Sequence, residues 1–64
     1  MSNSIRLLRL SAVLERVQLS KSEVYRRIDA GEFPMPVKLG LRSVAFVERE
    51  VDEYIAALVA ARKI

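Results

Sequence analysis

Apolar positions in the middle of the chain recur with helical spacing. Val24 and Ile28, four residues apart, define one buried stripe of a short helix. Ser20 and Glu23 precede them at the spacing of a capping box, in which each side chain bonds a backbone N–H that the first turn leaves free. Gly31 can adopt the left-handed conformation that often ends a helix. The pattern predicts a helix of about three turns that begins after Ser20.

A shorter apolar stripe lies just before this helix. Its members are Val13, Leu14 and Val17, whereas Glu15 and Arg16 are expected to lie outside. Ser11 is the expected N-cap, so the pattern predicts a first helix over Ala12 to Val17. About three residues then separate the two helices, and this connection length is typical of a helix-turn-helix.

Two segments after the central helix alternate with the strand period. Residues 37–39 and 44–46 flank the turn-forming residues 40–43, which predicts a β-hairpin, or wing. Phe33, in the proline-containing loop before the hairpin, is expected to fill the core. Near the amino terminus, residues 5–10 mix apolar and basic side chains without helical period, and we expect a short strand there.

The last segment has the most complete amphipathic pattern. Its apolar stripe comprises Val51, Tyr54, Ile55, Leu58 and Val59. Acidic residues gather at its start around Glu48, and Arg62 and Lys63 close it, as the helix dipole favours. We predict the longest helix here.

Together these elements predict a mostly helical α+β fold with three helices and a small β-hairpin. That order describes a winged helix-turn-helix, and 64 residues are enough for one domain, residues 1–64.

The face of the central helix opposite the buried stripe carries Arg26, with Ser22 and Asp29 beside it and Tyr25 on the flank. A capped helix with guanidinium and hydroxyl groups on its free face suits a DNA major groove. The wing adds cations that could contact phosphates or a minor groove. The predicted DNA-binding residues are Lys21, Ser22, Tyr25, Arg26, Arg27, Lys38, Arg42 and Ser43. A solvated basic face is the simpler alternative.

The charge distribution bears on this alternative. Residues 1–42 carry eight basic and four acidic side chains, a net +4, whereas residues 43–64 carry three and four, a net −1. A positive field confined to the first two thirds favours a polyanionic partner for that part of the chain.

Residue types that support catalysis are scarce. The chain has no histidine and no cysteine, and its two glycines do not form a phosphate-binding loop. We therefore expect no enzymatic activity, no metal site and no cofactor. No apolar run approaches the ~20 residues of a membrane span and no signal peptide is visible, so a cytoplasmic location without a membrane partner is expected.

Two motifs together resemble the AlpA family of small prophage regulators, which is similar to phage excisionases and to MerR-like winged-helix domains. They are Ser-x-Ser-x-x-Tyr-Arg from Ser20 and Gly-x-Phe-Pro-x-Pro-Val-Lys-Leu-Gly-x-Arg-Ser from Gly31. The chain departs from the family pattern at Gln18, where glycine is usual, at Arg27, where an apolar residue is usual, and at Leu41, which replaces a small or polar residue.

The resemblance implies binding to specific double-stranded DNA as a transcriptional regulator or as an excisionase that acts with an integrase. Because one such module covers little DNA, we also expect copies of the chain to bind cooperatively. The alternative from another class is a protein-interaction module that inhibits a regulatory partner through its basic face.

Overall fold

A computed structural model describes residues 4–62. Its elements, in chain order, are β1 (Leu7–Leu8), α1 (Leu10–Val17), α2 (Lys21–Asp29), β2 (Val37–Lys38), β3 (Val44–Val47) and α3 (Glu48–Ala61). The three helices and a small antiparallel sheet confirm the predicted mostly helical α+β fold of a winged helix-turn-helix.

The sheet has three strands in the order β1-β3-β2, all antiparallel. Strands β2 and β3 form the predicted hairpin, in register Val37 to Ala45 and Lys38 to Val44. Strand β1 pairs with the other edge of β3, placing Leu8 opposite Phe46. The predicted strand over residues 5–10 is therefore too long, because only its centre pairs with β3.

Helix α1 begins earlier than predicted. It starts at Leu10, and Arg9 occupies the N-cap position without a side-chain hydrogen bond. The backbone N–H of Val13 donates to the carbonyl of Arg9 at 3.1 Å. Ser11 therefore lies inside the first turn and does not cap it. Since the pairing of β1 with β3 ends at Leu8, the chain can turn into a helix at once.

Helix α2 has the predicted bounds and ends in a Schellman motif. The N–H of Gly31 donates to the Ile28 carbonyl at 3.0 Å, and the N–H of Glu32 donates to the Arg27 carbonyl at 2.8 Å. Gly31 has a φ of 76°, which confirms its predicted left-handed conformation.

One hydrophobic core connects all three helices with the sheet. Its buried members are Val13, Val24, Ile28, Phe33, Phe46 and Val51. Phe33 confirms the prediction of a core side chain, since its ring meets Tyr54 at 4.6 Å and Phe46 at 5.9 Å between centroids, both edge-on.

Only the first half of α3 packs against this core. Val51 is buried and Tyr54 and Ile55 pack against the core cluster, but Leu58 and Val59 are about half exposed, at 53% and 50%. The predicted burial of Leu58 and Val59 is therefore wrong, because the 14-residue helix extends beyond the elements that cover it. Arg62 follows the helix end, and Lys63 lies outside the described residues.

Candidate nucleic-acid interface

The start of α2 is fixed by reciprocal hydrogen bonds. Ser20 Oγ accepts from the Glu23 backbone N–H at 3.2 Å, and Glu23 Oε1 accepts from the Ser20 backbone N–H at 2.9 Å. This is the predicted capping box. The backbone hydrogen bond from Ser20 is the main cause that lowers the pKa of the Glu23 carboxyl, with smaller contributions from the Ser20 hydroxyl, Arg27 and Arg26.

The outward surface of α2 divides into two neighbouring stripes. Ser22 and Arg26, four residues apart, form a solvent-exposed stripe. Within residues 4–62 the Arg26 guanidinium forms no salt bridge. Lys21 and Tyr25 form the second stripe, in which Tyr25 is half-buried because it packs against the core cluster. The first stripe is free for an external partner, and the second faces the rest of the molecule.

Arg27 is placed differently from Arg26. Its side chain is half-buried, and Nη1 donates to the backbone carbonyl of Glu23 at 3.2 Å. The guanidinium therefore lies along its own helix, outside the Ser22–Arg26 stripe.

The wing carries Lys38 at the end of β2 and Arg42 in the loop that connects β2 to β3. Lys38 pairs with Val44, and the N–H of Leu39 donates to the Ser43 carbonyl at 2.7 Å to close the loop. Arg42 and Leu41 lie in this loop and are exposed, Leu41 completely.

A groove of about 460 Å³ lies where α1, α2 and the wing meet. Its lining consists of Arg9, Leu10 and Ser11 from the start of α1, Lys21 and Tyr25 from α2, and Arg42, Ser43 and Val44 from the wing. Four of the eight predicted DNA-binding residues, Lys21, Tyr25, Arg42 and Ser43, thus come together here. The groove does not include Ser22, Arg26, Arg27 or Lys38.

Sequence reasoning missed two polar residues of this groove, Arg9 and Ser11. The sequence pattern predicts that Ser11 is a helix cap and that Arg9 lies in a strand. The signal is weak, since residues 6–10 mix arginines and leucines without a regular period and nothing local shows which arginine faces α2. The antiparallel pairing of β1 with β3 places this segment beside the wing.

Arg16, a basic residue of the first two thirds of the chain, forms salt bridges with two carboxylates of α3. Arg16 Nη2 lies 2.9 Å from Glu48 Oε2, and Arg16 Nη1 lies 3.0 Å from Asp52 Oδ1. Arg16 lies outside the buried stripe of α1, as predicted, and it connects α1 to the acidic start of α3.

Within residues 4–62, no cluster of three or more carboxylate, imidazole or thiol side chains has the arrangement of a metal site. In the same part of the chain, no helix combines the length and the apolar character needed to cross a bilayer.

The chain matches a known protein family over most of its length. Residues 6–59 match the sequence profile of the family described as Prophage CP4-57 regulatory protein (AlpA). The chain belongs to the AlpA family. The resemblance inferred from the two motifs is thereby confirmed.

Two relatives illustrate how the chain relates to other AlpA-like proteins. The uncharacterized protein ORF88 of Enterobacteria phage P4 is 41% identical over 58 residues, which cover 91% of this chain and 66% of that relative. The chain therefore spans slightly less than two thirds of the phage protein. The DNA-binding transcriptional activator AlpA of Escherichia coli (strain K12) is 33% identical over 61 residues, covering 84% of this chain and 86% of that protein.

The structure shows the conformation and contacts of the three residues that depart from the AlpA pattern. Gln18 takes the left-handed conformation, with φ 59° and ψ 39°, that glycine adopts most easily, and its Nε2 donates to the Glu15 carbonyl at 2.6 Å. Arg27 bonds the backbone of its own helix. Leu41 is fully exposed at the wing.

Proposed function

We propose that this chain is a sequence-specific double-stranded DNA-binding regulator of prophage genes. The observation that carries the proposal is α2 itself, a capped helix whose Ser22–Arg26 stripe is exposed and engaged by no carboxylate within residues 4–62. Membership of a family of prophage regulatory proteins and 33% identity to a DNA-binding transcriptional activator support it.

In this proposal the two stripes of α2 have different roles. The Ser22–Arg26 stripe enters the major groove, where a guanidinium can bond guanine and a hydroxyl can bond any base edge. Lys21 and Tyr25, with Arg42 and Ser43 of the wing, lie at the side of the helix and contact the sugar-phosphate backbone. Lys38 adds positive charge on the hairpin, and Arg27 adds charge at the edge of the helix.

The proposal predicts that Arg26→Ala weakens binding to the cognate site by about 1–3 kcal/mol and relaxes discrimination at one base position. The probe is a duplex that the wild-type protein selects from a random-sequence library, measured by gel shift against single-base variants. Because Arg26 is exposed, the melting temperature should stay within a few degrees of wild type.

Arg49→Ala is the matched control, since it removes the same charge from an exposed position on α3. It should leave base discrimination unchanged. Equal losses for Arg26→Ala and Arg49→Ala would contradict a base-reading role for α2. Failure of the wild-type protein to enrich any duplex, with retention of a protein partner instead, would favour the protein-interaction module.

The regulatory role is preferred to an excisionase role because the E. coli relative is described as a transcriptional activator. Footprinting on the prophage that encodes the chain separates the two. Protection at a promoter supports regulation. Protection at an attachment end would assign the excisionase role, in which an integrase is the partner.

We propose further that several copies bind one regulatory site. A single module of this kind covers only about 600–1,000 Å² of protein surface on DNA, so one copy has limited affinity. Leu41, a fully exposed leucine at the wing, is the proposed contact between neighbouring copies.

A further inference from the structure

The groove between α1, α2 and the wing collects three cations from three separate elements. Arg9 directly precedes α1, Lys21 is the first residue of α2, and Arg42 belongs to the wing loop. No aspartate or glutamate lines this groove. Within residues 4–62 none of the three cations forms a salt bridge, since the ion pairs of the described chain both belong to Arg16.

Positive charges held in one groove repel one another, and the unfolded chain would keep them further apart. An anion in the groove removes this repulsion and gains interactions with all three groups at once. The hydroxyls of Ser11 and Ser43 line the same groove and can donate hydrogen bonds to an oxyanion.

The donor set matches a phosphodiester. A guanidinium presents paired N–H groups that fit two phosphate oxygens, and a lysine ammonium acts as a point charge that adapts to the position of the anion. The groove has a volume of about 460 Å³ and is open to solvent, as binding to a continuous polymer requires.

We propose that Arg9, Lys21 and Arg42 form one phosphate-binding site for the backbone of double-stranded DNA, beside the major groove that α2 occupies. This inference rests on the proposed DNA-binding function and adds Arg9, the N-cap residue of α1. The site fixes the register of α2 on the duplex, because Lys21 opens the helix that carries Arg26. It also assigns Arg42 to a phosphate and not to the bases of a minor groove.

The test pairs protein variants with neutralised phosphates. The probe is the duplex selected by the wild-type protein, synthesised with one methylphosphonate at a time along each strand. Arg9→Ala, Lys21→Ala and Arg42→Ala should each lower affinity about threefold to tenfold and reduce the salt slope by about one. Each loss should disappear on duplexes neutralised at the same phosphate, because all three residues address that group.

Two controls separate this site from general electrostatics and from α2. Arg49→Ala removes an equal charge and should change affinity little on every probe. Arg26→Ala should keep its full effect on the neutralised duplex. Arg9→Gln, with a melting curve for every variant, distinguishes lost contacts from lost folding.

Two kinds of result would overturn the shared phosphate-binding site. If no methylphosphonate position removes the effects of the three substitutions, or if Arg9→Ala behaves as Arg49→Ala does, the shared site is wrong even when Arg26→Ala still relaxes discrimination at one base position. If inorganic phosphate raises the melting temperature of the protein in an Arg9-dependent way, while no methylphosphonate position alters the effect of Arg9→Ala on DNA affinity, the groove binds free phosphate and the backbone assignment is overturned.

Discussion

Gly31 and Gln18 occupy the two left-handed backbone positions of the described chain, one after each helix of the helix-turn-helix. Glycine reaches this conformation without the clash between Cβ and the following carbonyl. Gln18 accepts that cost, and its side chain bonds the Glu15 carbonyl across the last turn of α1. The turn between α1 and α2 thus contains a left-handed residue at a position where the chain departs from the AlpA pattern.

Gly31→Ala should destabilise the protein by about 1–2 kcal/mol. For a domain of this size, each kcal/mol lowers the melting temperature by roughly 4–8 °C. A methyl group at Gly31 would meet no atom within 4 Å, so the cost comes from the positive φ alone. Thermal unfolding followed by circular dichroism measures it.

Gly40→Ala is the matched control, because its methyl group also meets nothing within 4 Å and its backbone is not left-handed. It should be neutral or slightly stabilising, since alanine restricts the unfolded chain. Equal melting temperatures for the two variants would contradict the Schellman ending of α2.

At the scale of elements, α2 is defined by its own sequence and α1 is not. The capping box, the buried pair Val24 and Ile28, and the glycine ending all involve residues close in sequence, and all are confirmed. The start of α1 depends on how β1 pairs with β3, and here the expected Ser11 cap was wrong.

The capping box makes part of the stability depend on pH. Because the folded-state pKa of Glu23 lies below the ordinary 4.5, its ionised carboxylate stabilises the folded protein above pH 4.5. This contribution is lost as the pH falls below 4.5 through the lowered folded pKa. Glu23→Gln keeps a hydrogen-bond acceptor at this position but cannot ionise.

The difference in melting temperature between wild type and Glu23→Gln should therefore be largest near pH 7 and shrink below pH 4.5. Glu32→Gln removes the same charge from an exposed position outside any helix and should not show this narrowing. A difference that is constant from pH 7 to pH 3 would argue against a carboxylate-dependent cap.

At the scale of the whole molecule, the charges are separated in space. Arg9, Lys21 and Arg42 border one groove, whereas the acids at the start of α3 line a different cavity of about 390 Å³, and two of them bind Arg16. Arg16 is thereby removed from the basic surface. Exposed pairs such as these contribute at most about 1 kcal/mol to stability.

Copies of the chain should bind adjacent DNA sites cooperatively. On a duplex with two adjacent sites, the wild-type protein should bind the second site more tightly than the first, while remaining monomeric without DNA. Leu41→Ser should remove this cooperativity and keep single-site affinity, because Leu41 is fully exposed and outside the groove. Gel shifts and sedimentation measure both quantities.

Leu58→Ser is the control, since Leu58 is an exposed leucine on α3, 53% accessible. If Leu58→Ser removes cooperativity and Leu41→Ser does not, neighbouring copies meet through the last helix. If the wild-type protein binds two sites independently, the proposed assembly is wrong.

Features that depend on near neighbours follow from the amino-acid sequence alone. Helical and strand periods, the capping box, the left-handed Gly31 and the hairpin arise from residues a few positions apart, and these predictions hold. The exposed side of Arg26 follows in the same way from helical geometry alone.

Contacts between distant segments became visible only in the folded protein. The pairing of β1 with β3 brings Arg9 close to Lys21 and Arg42. Arg16 of α1 forms a salt bridge with Glu48 of α3. Leu58 and Val59 are exposed because α3 extends beyond the described elements that pack against it. An amphipathic stripe shows which side of a helix can be buried. Whether enough protein lies opposite to bury it depends on the lengths and pairing of other elements, and no local pattern carries that information.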